Sequence, residues 1–304
     1  MIKIRDWLPL LGMPLMLFSV QVIAIILVMP MRAAGLVAFE DPESVANPLI
    51  FIGMLLIFTL VLLALIRIGG RRFITLFIGF AIFMTFLYIF GALFTLVPGA
   101  AGTAAIGTVI AAGAATALLY IYPEWYVIDV LGVLISAGIA SIFGISLAIL
   151  PVLVLLVLLA VYDAISVYRT KHMITLAEGV LEAKAPIMVV VPKSTDYSFR
   201  KDTLNMGEGE ERGAFVMGMG DLIMPSILVA SSHVFVDAPA VLGPLSAPTL
   251  GAMAGSMAGL ALLLHFVNKG KPQAGLPPLN GGAILGFLIG AALAGSYAWC
   301  SLCI

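Results

Sequence analysis

The chain has 304 residues, of which 62% are hydrophobic and only 10% charged, with a formal net charge of −1 and a mean hydropathy of +1.18. A soluble domain carries about 25% charged residues and about half apolar ones. This composition therefore excludes a soluble enzyme, a disordered chain and, with no basic excess, a nucleic-acid-binding protein. It predicts a polytopic membrane protein with room for roughly nine or ten spans of about 20 residues.

In chain order, apolar stretches bounded by charge or turn residues predict nine spans: Leu8–Met31, Pro48–Ile66, Phe73–Val97, Ala101–Tyr122, Tyr126–Gly144, Leu147–Tyr168, Gly213–His233, Val241–Val267 and Pro277–Cys303. Lys3 and Arg5 precede the first run as in a signal peptide, but the run is too long for one and no small-residue cleavage site follows. The fifth and sixth spans meet at Phe143-Gly144-Ile145 without any charge. Read as one helix they would cover about 40 residues, too long for a hydrocarbon core of about 30 Å.

Basic residues mark the cytoplasmic side of a membrane protein. With nine spans and the N-terminus inside, 14 of the 15 Lys and Arg residues fall on the inner side, and only Arg32 lies outside. Merging the fifth and sixth spans would put the later basic loops opposite Arg67, Arg71 and Arg72. The expected architecture is thus all-α, with nine transmembrane helices, a cytoplasmic N-terminus and an extracytoplasmic C-terminus. It divides into a six-helix part (1–172), a cytoplasmic loop (173–212) and a three-helix part (213–304). Within the loop, Met173–Glu182 suits a short amphipathic helix, Ile187–Val191 between Pro186 and Pro192 suits a strand, and Lys193–Arg212 suits a polar, mobile segment.

Most acids fall in loops, and Asp129 falls near a span end where hydration is expected. Asp163 and Asp221 lie inside the sixth and seventh spans. An ionisable group at membrane depth costs at least about 2.5 kcal/mol and marks a functional site. Asp163 is placed about 8 Å, and Asp221 about 12 Å, from the inner ends of consecutive antiparallel helices. At such similar depth the two carboxyls can face each other. Facing carboxyls in a low-dielectric site share one proton. The carboxylate can then take a proton from water while the acid polarises a peptide carbonyl. That chemistry needs no metal or cofactor. On the residues alone, a proton- or ion-coupled transporter or channel using the same two acids stays open, as does a structural hydrogen-bonding role.

Three local motifs bear on this choice: Val161-Tyr162-Asp163, Gly218-Met219-Gly220-Asp221 and Leu276-Pro277-Pro278-Leu279. A Tyr-Asp in one span, Gly-x-Gly-Asp in the next and a Pro-Ala-Leu-like element at the start of the ninth resemble the presenilin family of intramembrane aspartyl proteases, GxGD type. The third motif departs from the family pattern, with Pro278 in place of Ala and Asn280 after Leu279. The resemblance implies an aspartic endopeptidase that cleaves within or beside transmembrane helices of other membrane proteins, with Asp163 and Asp221 as catalytic residues and no cofactor. The inside N-terminus is similar to the presenilin branch rather than the inverted signal-peptide-peptidase branch. Short termini and small loops are similar to archaeal presenilin homologues, which implies action without partner subunits, in the bilayer of the cell membrane, with self-association left open.

Within that reading, Gly218 and Gly220 would clear space beside Asp221 and, with Pro225, loosen the helix. Tyr162 would order Asp163 or contact substrate. Pro277, Pro278 and Leu279 would form a non-helical, Pro-stiffened start to the last span. A helical peptide bond is shielded, so a substrate must unwind first. The strand around Val189 would hold it by adding a strand, and Val189→Pro should cut proteolysis sharply. The glycines at 251, 255 and 259 and at 282, 286 and 290 are expected to pack helices closely. Cys300 and Cys303 form a C-x-x-C without further zinc ligands or a redox context, and His172, His233 and His265 lie near span ends.

Overall fold

The computed structural model describes residues 7–68, 70–96, 104–170, 188–193, 197–199, 214–267 and 273–300. Among them are nine helices: α1 Trp7–Ala33, α2 Asn47–Ile68, α3 Gly70–Phe94, α4 Ala104–Ile121, α5 Trp125–Ser146, α6 Ile149–Ile165, α7 Met219–Phe235, α8 Ala247–Val267 and α9 Leu276–Ala294. Backbone polar groups in lipid must be satisfied internally, so apolar runs of this length fold as helices. Seven of the nine are long and apolar enough to cross a membrane; α7, and α2 over Asn47–Val61, are apolar but shorter.

The chargeless break between α5 and α6 is present. Leu147 and Ala148 are extended, at φ −130°, ψ 118° and φ −68°, ψ 172°. The polar groups released there find distant partners. Ala148 N–H donates to the Pro42 carbonyl at 2.8 Å, and Ser231 Oγ donates to the Leu147 carbonyl at 2.7 Å. Ser146 Oγ accepts the Ala38 N–H at 2.7 Å. A loop without charges is thus stable because two other segments, the α1–α2 connection and α7, supply its hydrogen bonds.

Helices α1, α5 and α7 form the centre. Helix α7 is buried along most of its length, and Gly144 of α5 admits it: a Cβ there would lie 3.2 Å from the Ser231 nitrogen. Gln21 of α1 donates through Nε2 to Ser256 Oγ of α8 at 2.7 Å. Helices α8 and α9 pack through the predicted glycines. A Cβ on Gly255 would fall 2.9 Å from Gly286 Cα, and one on Gly259 would fall 3.0 Å from Leu279 Cα. Such approach between backbones is available only to residues without a side chain.

Several expectations need correction. The fold is mostly helical, and the strand expected near Ile187–Val191 is present as β1, but two small antiparallel ribbons reach further than expected. In the first, β1 Met188–Pro192 pairs with β2 Ala214–Gly218. In the second, β3 Ala240–Leu242 pairs with β4 Leu245–Ser246 around Gly243 at φ 56°. The apolar stretches 213–233 and 241–267 therefore begin as strands, not helices. An apolar run of five residues fits either state until its pairing partner is known. The last helix ends at Ala294, where Gly295 takes the left-handed conformation (φ 63°) and stops it short of the cysteines. The expected amphipathic helix Met173–Glu182, most of Lys193–Arg212, His172 and Cys303 lie outside the described residues.

Candidate active site

Asp163 and Asp221 come to the same end of the bundle from opposite chain directions. Asp163 stands two residues before the last position of α6, and a π-helical turn, Ser166–Thr170, follows. Asp221 is the third residue of α7. Asp221 is not two turns into a helix beginning at Gly213, because Ala214–Gly218 is strand and Gly218 is the N-cap (φ −65°, ψ 139°). Pro225 lies four residues on and has no N–H for the Asp221 carbonyl.

The start of α9 joins the two carboxyls. The Leu276 N–H donates to Asp163 Oδ2 at 3.0 Å, so the peptide unit joining Gly275 to Leu276 lies against this carboxyl. On its other side Gly275 faces Asp221: a Cβ on Gly275 would lie 2.8 Å from Oδ2 and 3.1 Å from Oδ1. Standard backbone dimensions then limit the separation of the two Oδ2 atoms to about 9 Å. The carboxyls are close enough for the charge of one to act on the other. Asp163 is buried, and Asp221 is partly exposed.

The remaining predicted residues surround this pair. Gly218 and Gly220 leave the side of Asp221 open: a Cβ on Gly218 would meet only Asp221 Oδ2, at 3.8 Å, and one on Gly220 would meet nothing within 4 Å. Tyr162 is next to Asp163 in sequence but 36% exposed. Pro277, Pro278 and Leu279 are not a non-helical lead-in, since α9 begins at Leu276 with Pro in its first turn. Proline is tolerated there because the first N–H groups of a helix have no intrahelical acceptor. Leu279 is fully buried.

Val189 is buried inside the ribbon, with Cγ1 3.7 Å from the Cβ position of Gly132 on α5. The outer edge of β1 is occupied. The Val190 N–H donates to Asp129 Oδ1 at 2.7 Å. Directly opposed residues in an antiparallel pair are either both bonded to each other or both turned outward. Val190 opposes Val216, so Val216 turns its N–H and carbonyl away from β1. Among the described residues, the ribbon edge without a strand partner is therefore that of β2, which runs straight into α7 and Asp221.

Several contributors escape a reading of the sequence. Gly275 and the Leu276 amide act through backbone, which no residue type advertises. Asn280, conspicuous in the sequence only as a departure from a motif, is fully buried and donates through Nδ2 to the Leu156 carbonyl at 3.0 Å, two turns before Asp163. Asp129 is not hydrated at a span end but 4% exposed. Tyr168 Oη donates to Gln273 Oε1 at 3.0 Å, tying the π turn to the chain leading into Gly275. Among the described residues, no group of three or more His, Cys, Asp or Glu is arranged to hold a metal.

Two carboxyls flanking one backbone segment inside an apolar helical bundle suit a membrane-embedded aspartyl hydrolase. Residues 13–296 match the family described as signal-peptide peptidase, presenilin aspartyl protease, and the chain belongs to that family. Two solved structures of a presenilin family intramembrane aspartate protease are similar to it. The one in space group C222 has 67% identity and a TM-score of 0.70, and the one in P2 has 69% identity and a TM-score of 0.72; each comparison covers 95% of this chain and 100% of the other. No curated protein matches. The protein is an integral, multi-pass membrane aspartic endopeptidase of the intramembrane-cleaving kind.

Proposed function

We propose that Asp163 and Asp221 are the catalytic pair and that they hydrolyse peptide bonds within or beside transmembrane helices of other membrane proteins. The observation that carries this is the placing of both carboxyls against Gly275, one on the peptide unit that follows it and one on its vacant Cβ side. A water between them would lose a proton to the carboxylate while the acid polarises the scissile carbonyl. The proton then passes to the leaving amine. The two acids titrate as one unit, so the roles of general acid and general base belong to the pair.

The substrate must present an extended segment, and the unpaired edge of β2 supports strand addition at Val216 and Gly218. Val189 then shapes the site from beneath, by holding β1 against α5, rather than by offering an edge. All nine helices cross the bilayer in this reading, with the N-terminus in the cytoplasm, because 14 of 15 basic residues then lie inside. The active end is cytoplasmic, and substrates enter with their own N-terminus outside.

The test is mass spectrometry of products from a single-span reporter peptide in proteoliposomes. Wild-type protein should cut it, and Asp163→Asn and Asp221→Ala should not, while each variant keeps its melting temperature. Full cleavage by Asp221→Ala would remove the mechanism.

A further inference from the structure

We propose that Asp129 is a positioning residue for proteolysis, setting the register in which the substrate strand meets Asp221; the inference rests on the catalytic reading above. The chemistry of Asp163 and Asp221 does not use this third acid. It is 4% exposed on the first turns of α5. One oxygen, Oδ1, accepts the Val190 N–H at 2.7 Å. The other, Oδ2, is buried with no hydrogen-bond partner among the described residues. A carboxyl buried with one oxygen unmatched is a poor device for stability. A residue chosen only to satisfy one amide could be smaller and neutral.

The position of the bond shows what it controls. Asp129 stands where the next strand of a sheet would stand, so it blocks the outer edge of β1 and fixes that strand along its length. One turn further along α5, Gly132 leaves room for two other side chains. Its Cβ position lies 3.7 Å from Val189 Cγ1 and 2.7 Å from Met219 Cε. A single stretch of α5, Asp129 to Gly132, thus seats β1 and also the first residue of α7, two residues before Asp221. Val190 opposes Val216 in the ribbon, and Val216 is on the strand with the unpaired edge. A chain of contacts therefore runs from Asp129 through Val190 to Val216, and its end is five residues from Asp221. If β1 slipped along α5, the β2 edge would shift relative to the carboxyl pair, and a different bond of the substrate would be presented.

The experiment uses the full chain in proteoliposomes and reads product masses from a single-span reporter. Asp129→Ala removes the acceptor. Val190→Pro removes the donor, and it should leave the β1–β2 pairing intact because that N–H points away from β2. Both variants should spread cleavage over neighbouring bonds and lower the rate at the preferred bond about tenfold, the scale of a buried donor or acceptor left unmatched. Asp129→Asn keeps an oxygen acceptor for the same amide and should restore the wild-type product pattern with a rate within about threefold. The proposal is overturned if either acceptor- or donor-deleted variant gives the wild-type pattern, or if Asp129→Asn spreads cleavage as Asp129→Ala does. Should Asp129→Ala not fold, Val190→Pro decides alone. Cleavage by an Asp221→Ala control would instead break the catalytic reading, so the two failures are distinct.

Discussion

The carboxyl of Asp221 fills the space that a side chain on Gly275 would need, with Oδ2 2.8 Å from the Cβ position. The peptide unit that follows Gly275 donates its N–H, that of Leu276, to Asp163. Gly275→Ala should therefore displace Asp221 or pull the Leu276 amide off Asp163. Cleavage of a reporter peptide should fall about tenfold or more, as small misplacements of reacting groups do. The melting temperature should stay close to that of the wild type, since the strain is local. Wild-type rates in Gly275→Ala would show that the carboxyls tolerate separation.

The two ribbon strands should respond differently to proline. Val216→Pro removes an N–H that points away from β1, and leaves the ribbon paired. It should reduce cleavage about tenfold or more while the fold is kept, because one hydrogen bond to the substrate strand is lost and the ring obstructs that edge. Val189→Pro breaks a bond between β1 and β2 and should lower both cleavage and thermal stability. Circular dichroism melts alongside reporter cleavage would separate the two.

Asn280 joins α9 to α6, and its Oδ1 is buried without a partner among the described residues. Asn280→Leu removes the bond and the unpaired oxygen together. Replacing a buried polar group by an apolar one of similar shape is close to neutral for stability, so unfolding should change by less than about 1 kcal/mol. Cleavage should nevertheless fall several-fold, since α9 then loses its hydrogen bond to the α6 backbone two turns before Asp163. Equal rates in both proteins would assign Asn280 to packing alone.

Gly255→Val should act on stability first. The added side chain would meet the backbone of Gly282 and Gly286, where nothing can swing aside. Overpacking of this kind costs about 1–3 kcal/mol or more. It should appear as an earlier thermal transition in detergent, with cleavage at low temperature less affected than in Gly275→Ala.

A pair sharing one proton is active only with one carboxyl protonated and the other ionised. Cleavage should therefore trace a bell against pH, falling on the acid side as both become protonated and on the alkaline side as both ionise. A rate that rises along a single limb through this range would point to one titrating acid instead of two.

What can be read from sequence follows from what each signal measures. Hydropathy locates the helices, even at the chargeless break near Gly144, because span length is set by the bilayer. It misplaces the starts of α7 and α8, because the apolar runs Ala214–Gly218 and Ala240–Leu242 are as hydrophobic as the helices they precede. Asp163 and Asp221 stand out because a charge in an apolar run is conspicuous. Asp129 is equally within an apolar run, yet its place near a helix end suggests hydration, and only the packing of β1 over it reveals burial. Gly275 and the Leu276 amide are invisible for a different reason. Their contribution is main chain, and main chain is the same at every position until the fold selects one.

The glycine-to-backbone contacts between α8 and α9 have a mechanical consequence. With no side chains between them to compress or rotate, the two helices form one stiff hairpin, and α9 alone spans roughly 28 Å. The Leu276 amide sits at its tip. A ligand or lipid that gripped the hairpin near Ala247 and Gly290 would tilt it as a lever and move that amide away from Asp163, without touching either acid.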